Sequence, residues 1–143
     1  MVLSKSIGKK GEIFQDSLRA SWGNIYAINF KIENISKFIQ SDDTVLDIGC
    51  GNGYSTFFYL EKQPRYISGI DYAKNMIYLA RKSAKKLGVE DKVDFQTGGI
   101  RKLDYADCTF NISLTTKVLI NLPTWEKQRQ GIHESIRVTK MGG

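Results

Sequence analysis

Residues 45–56, VLDIGCGNGYST, constrain this chain more than any other stretch. An apolar run ends at Asp47 and Ile48, and glycines follow at alternate positions, Gly49, Gly51 and Gly53. Glycine reaches left-handed backbone at no steric cost, and its missing Cβ lets another group approach the main chain. A strand that runs into so bare a loop is how open α/β sheets bring backbone to a ligand. The rest of the chain must supply the sheet and identify the guest.

The periodicities supply the sheet. Ile25, Ile28, Ile32, Ile35 and Ile39 recur at helical spacing, with Asn24 as the expected N-cap. Thr44 to Ile48 reads as a buried strand. Residues 55–62 read as a short helix stopped by Pro64, and Tyr66 to Asp71 as a second strand. Lys74 to Leu87 forms a helix that turns Met76, Ile77, Ala80, Ala84 and Leu87 inward and stops at Gly88. Strands follow at 93–97 and 110–115. Pro123 and Thr124 open a last helix that runs to Val138 and is expected to bury Trp125, Ile132 and Ile136. This alternation predicts an α/β fold, a parallel sheet with helices on both faces. At 143 residues the chain is one domain, with a helical cap over 1–41 and a core over 42–143.

Composition removes several classes. No apolar run approaches the roughly 20 residues that span a bilayer, so no membrane partner is expected. The start, MVLSKSIGKKGEIF, lacks the apolar core of a secretory signal. Cys50 and Cys108 make neither a disulfide framework nor a zinc site. Both read as reduced thiols in a cytoplasmic protein. The net charge of +6 raises a nucleic-acid partner. Its densest run, Arg81, Lys82, Lys85 and Lys86, lies late in a helix, where cations suit the dipole and face water.

The loop then selects its guest. A dinucleotide fingerprint places its third glycine one residue later, where this chain has Tyr54. A phosphate loop needs Lys after its last glycine, and Gly53 is followed by Tyr. A GxGxG loop with Asp47 two residues before it suits an ammonium group packed on bare backbone. Asp71, at the end of the second strand, can accept two hydrogen bonds from a ribose diol. Ammonium plus ribose describes S-adenosylmethionine.

VLDIGCGNGYS resembles motif I of the class I S-adenosylmethionine-dependent methyltransferases, which have a Rossmann-like sheet. GIDYAKNMIYLAR is similar to the segment after their second strand, and a weaker likeness runs through to RVTKMGG, covering about residues 42–143. The resemblance implies that Asp47, Gly49, Cys50 and Gly51 line the methionine part of the cofactor and that Asp71 holds the ribose. It implies Tyr72 and Met76 beside the adenine, Gly99 and Ile100 at its edge, and Thr115 or Thr116 by the methionine tail. Two positions depart from the pattern. Gly99 stands where many relatives carry an acid for the adenine amine, and Ala73 where relatives often carry a capping serine.

The acceptor is narrowed by elimination. After the fourth strand the chain reads TTKVLINLP, not the Asn/Asp-Pro-Pro-aromatic motif of DNA amino-methylating enzymes. The Pro-Cys nucleophile of cytosine-C5 enzymes and the double-glutamate loop of arginine methyltransferases are missing too. A small-molecule or sugar acceptor, methylated on O or N, is the reading; RNA methylation or a non-catalytic cofactor-binding fragment are the alternatives. His133 sits well into the last helix, so no catalytic base is named, and no metal is expected. Arg19 is a candidate partner for the methionine carboxylate, with Trp22 or Tyr26 as a wall. RVTKMGG resembles the Lys-Pro-Gly-Gly turn before strand five, with Met141 in place of the proline. By that likeness the expectation is a Rossmann-like sheet of order 3-2-1-4 that stops after four strands. Its fourth strand is then a half-apolar free edge (Phe110, Ile112, Leu114), open to self-association.

Overall fold

β1 (Thr44–Ile48) has apolar residues pointing to both faces, as its nearly unbroken apolar sequence TVLDI requires, and it lies inside a parallel sheet. The computed structural model describes residues 25–142. Its other strands are β2 (Tyr66–Asp71), β3 (Val93–Thr97) and β4 (Ile112–Thr115), all parallel, in the order β3-β2-β1-β4. The chain thus builds outward from β1 to β3 and then crosses back to place β4 on the other side of β1. That reversal falls between β1 and β4, and the loops leaving the carboxyl ends of the strands frame a crevice there.

Side chains alternate across the sheet, and each face has its own core. Val45 and Ile67 point to one face, where α1 (Ile25–Ser36), α2 (Tyr54–Tyr59) and α3 (Lys74–Leu87) bury Ile28, Ile32, Phe57, Phe58, Tyr59, Ile77 and Ala80. The isoleucine stripe of α1 does what its spacing requires, with Ile28 and Ile32 buried and Ile25 and Ile35 packed at the margin. Tyr54 ties α2 to α1 by donating to Asn29 Oδ1 at 2.9 Å. A short 3₁₀ turn (Leu60–Lys62) extends α2 before Gln63 enters left-handed backbone and Pro64 ends it. α3 stops at Gly88, φ +66°. Leu46, Ile48 and Ile70 point to the other face, where α4 (Trp125–Val138) and the long β3–β4 connection cover them. No helix among the described residues is long and apolar enough to cross a membrane.

Two expectations need correction. α4 does not bury Trp125, Ile132 or Ile136, which are 67%, 37% and 66% exposed. Gly131 and Val138 are its buried residues. At Gly131 the absence of a side chain lets Ile100 and Leu119 pack against the helix, where a Cβ would meet Ile100 Cγ2 at 3.1 Å and Leu119 Cδ2 at 3.2 Å. One and two turns on, Glu134 and Arg137 face the β3–β4 connection. Glu134 accepts from Leu103 N at 2.8 Å, and Arg137 donates to the carbonyls of Leu103 and Tyr105, each at 2.8 Å. These polar bonds turn the helix away from the face that apolar periodicity favoured. The second correction concerns β4, which begins at Ile112. Phe110 packs into the α4-side core and bridges Thr139 instead, with Phe110 N on Val138 O at 2.9 Å and Lys140 N on Phe110 O at 2.8 Å. The start of the outer edge is therefore covered by the chain itself. Asn24, Arg19 and Trp22 lie outside the described residues.

Gly69 is the tightest point of the sheet. A Cβ there would meet Phe95 Cδ1 at 2.6 Å and Cys50 Sγ at 3.0 Å, both buried. Phe95 is held by Phe57, edge to face at 5.6 Å, and has little room to yield. Gly69→Ala is therefore expected to cost about 1–3 kcal/mol of stability by overpacking. Urea unfolding checks this, and an unchanged midpoint contradicts it.

Candidate functional site

The glycine loop is built by backbone that only glycine adopts freely. Gly49, Gly51 and Gly53 take φ of +81°, +55° and +84°. The amides of Gly49 and Cys50 both donate to Ile70 O, at 2.8 and 3.0 Å, which pins the loop to the end of β2. Gly53 N closes the turn on Cys50 O at 3.0 Å and so starts α2. The Val118 side chain lies where a Cβ of Gly49 would sit. The loop after β4 therefore rests directly on the glycine loop.

Asp71 joins this loop to its neighbours. Its Oδ2 accepts from Gly51 N and its Oδ1 from Ala73 N, each at 2.9 Å, while its carbonyl accepts from Gly98 N at 2.9 Å. Ala73 caps α3 with no side-chain bond, and the Asp71 carboxylate holds its amide instead. A carboxylate offers about four lone-pair sites. With two taken by backbone, Asp71 keeps capacity for a ligand hydroxyl pair.

A cavity of about 590 Å³ opens at this edge. Of the sequence candidates, Gly49, Asp71, Tyr72, Gly99, Ile100 and Thr116 line it. Asp47, Cys50, Gly51 and Met76 do not. Asp47 is buried beneath the loop and accepts from Thr56 Oγ1 at 2.7 Å. Burial raises its pKa to about 6; the Thr56 hydroxyl opposes this and the Asp71 charge adds to it. Cys50 belongs to the core, and burial, then the charges of Asp47 and Asp71, push its thiol far up, so it is no nucleophile. Met76 is half-buried on α3, and Tyr26 is 83% exposed, away from the cavity lining. His133 is exposed on α4 and outside the cavity.

Sequence reasoning missed Ile48, Gly98, Arg101, Lys117, Val118, Asn121 and Leu122 as lining residues. All but Ile48 sit in the loops after β3 and β4, where no periodicity applies. The left-handed φ of Lys117, +61°, has no glycine to announce it. The resulting site has bare backbone, a carboxylate with free lone pairs, and apolar walls from Ile48, Ile100, Val118 and Leu122. It fits a ligand that pairs a ribose with a flat ring and a polar tail.

Comparison with known proteins agrees with this chemistry. A family model for the methyltransferase domain matches residues 45–143. The chain is 29% identical over 106 residues to 27-O-demethylrifamycin SV methyltransferase of Amycolatopsis mediterranei, covering 73% of this chain and 38% of that one. It is 34% identical over 98 residues to norajmaline N-methyltransferase of Rauvolfia serpentina, covering 68% of this chain and 32% of the relative. Among solved structures, the YcgJ protein of Bacillus subtilis superposes with a TM-score of 0.72 at 26% identity, over 80% of this chain and 48% of that one. The chain thus spans well under half the length of these curated relatives.

The buried acid makes a pH prediction. Asp47 holds its proton in the folded state at pH values where the unfolded chain, near 3.8, has lost it. Its contribution to stability is therefore fully present below about pH 4 and is lost as pH rises through about 6. Asp47→Asn keeps an acceptor for Thr56 and does not titrate. Measured by urea unfolding from pH 4 to 7, wild-type stability should fall relative to the variant. Parallel curves contradict the assignment.

Proposed function

The chain belongs to the class I S-adenosylmethionine-dependent methyltransferases, and from that membership we propose that its crevice binds S-adenosylmethionine for methyl transfer to O or N of a small-molecule acceptor. The observation that carries this reading is Asp71, which lines the cavity beside Gly49 with half its lone pairs unused. The two relatives named above, one a 27-O-demethylrifamycin SV methyltransferase and one a norajmaline N-methyltransferase, support the acceptor class.

The residues divide the work by position. Asp71 binds the ribose hydroxyls. Gly49 and its neighbours let the amino-acid tail lie against backbone, with Thr116 across from them. Tyr72, Gly99 and Ile100 take the adenine. Asp47, Cys50 and Gly51 act from beneath: Asp47 sets the loop through Thr56, and Gly51 through its bond to Asp71. When bound, the cofactor supplies an electrophilic methyl group; the apolar walls exclude water and orientation does the rest. The chain's one histidine, His133, does not line the cavity, so it is no base for an acceptor hydroxyl bound there. Free Cys50 and Cys108 support a reducing, cytoplasmic setting. Self-association through the β4 edge is supported by Ile136 and Met141, exposed in a groove they share with Ser113. Sedimentation should show a concentration-dependent dimer, and a monomer throughout contradicts that part.

Asp71→Ala removes a charged acceptor and should weaken S-adenosylhomocysteine binding by about 1.5–3 kcal/mol by calorimetry. His133→Ala should leave affinity unchanged. Wild-type protein at a hundredfold excess of ligand over Kd should gain about 2.7 kcal/mol of stability. Equal affinities for wild type and Asp71→Ala contradict the ribose role.

A further inference from the structure

Gly98 and Gly99 differ from the glycines of the motif loop. Neither has left-handed φ, and a Cβ added to either meets no heavy atom within 4 Å. Backbone conformation does not demand glycine at these positions, and packing does not fill the space beside them. Both line the cavity, next to Tyr72, Ile100 and Arg101.

Strand order decides what part of a ligand reaches them. Asp71 ends β2, between the loop after β3 and the glycine loop after β1. A ribose held by Asp71 therefore sends one substituent toward Gly49 and Thr116 and the other toward residues 98–101. The second side offers the exposed ring of Tyr72, the apolar Ile100 and bare main chain, which suit a flat heterocycle. Its side-chain polar groups are unbalanced. Gly98 N is taken by Asp71 O at 2.9 Å, and Gly99 O accepts from Lys102 N at 3.2 Å. The Ile100 amide has no hydrogen-bond partner among the described residues and can donate to a ring nitrogen. Arg101 is donor-only. No side chain from 98 to 101 can accept from an exocyclic amine.

We propose that the base end of the cavity holds adenine by shape and by its ring nitrogens but does not read its exocyclic amine, so that it takes cofactors substituted on that nitrogen. This rests on the cavity being the S-adenosylmethionine site. Cofactor selectivity then lies with Asp71 and the tail side, and Gly98 and Gly99 are the positions that leave the purine edge unread.

Calorimetry with the 143-residue chain tests it, using S-adenosylhomocysteine and its N6,N6-dimethyl analogue, which has no N–H to donate there. The two affinities should agree within about fivefold. Weakening of the dimethyl analogue beyond that overturns the proposal. Failure of S-adenosylhomocysteine itself to bind is a separate result, which removes the reading of the cavity and the proposal with it. Gly99→Asp puts an acceptor into open space on backbone an L-residue adopts. It should raise the preference for the unsubstituted ligand by roughly tenfold, the size of one charged hydrogen bond. A folded Gly99→Asp protein with an unchanged ratio overturns the proposal as well.

Discussion

The Asp71 carboxylate is the interaction on which the carboxyl edge of this sheet depends. One oxygen holds the Gly51 amide and the other holds Ala73 at the start of α3. Its own carbonyl receives Gly98 from the loop after β3. Three loops that share no sequence are thus fixed to one residue at a strand end. Hydrogen bonds to a charged acceptor are stronger than neutral ones, and shielding by the protein strengthens them further. The same residue faces the cavity, so the group that organises the site is also the one proposed to meet the ligand.

A second carboxylate, Asp47, sits close by and has a different environment. It is buried under the loop with the Thr56 hydroxyl as its partner, and burial makes it a weaker acid than usual. Asp71 faces the cavity and is held by amides. Environment, not residue type, separates the two roles. On the far side, Val118 closes over Gly49, and Gly131 of α4 lets the helix press Ile100 and Leu119 into place. α4 thus braces both walls of the cavity without lining it, and the Glu134–Arg137 pair ties that brace to the β3–β4 connection.

Much of this was legible in the sequence because it is local. The GxGxG loop, the acid ending β2 and the isoleucine spacing of α1 each carry their geometry within a few residues, and the parallel sheet follows from the βαβ alternation, its order from the family resemblance. What was not legible is non-local. α4 has an apolar stripe, yet its buried face is chosen by Gly131 and by bonds to carbonyls that no periodicity reveals. Phe110 alternates with Ile112 and Leu114 in sequence, but it leaves the strand to pair with Thr139. Cys50 lies in the motif while its side chain belongs to the core. Val118, Asn121 and Leu122 reach the cavity only because β4 crosses back beside β1.

In the proposed reading one ligand bridges the loops after all four strands, with Asp71 at its middle. Amide chemical-shift mapping during a titration with S-adenosylhomocysteine tests this most directly. The largest shifts should fall together on Gly49, Gly51, Tyr72, Gly99, Ile100 and Thr116, while the outer face of α3 and the exposed stripe of α4 stay unmoved. Saturable binding whose shifts avoid Gly51, Tyr72 and Ile100 would contradict it.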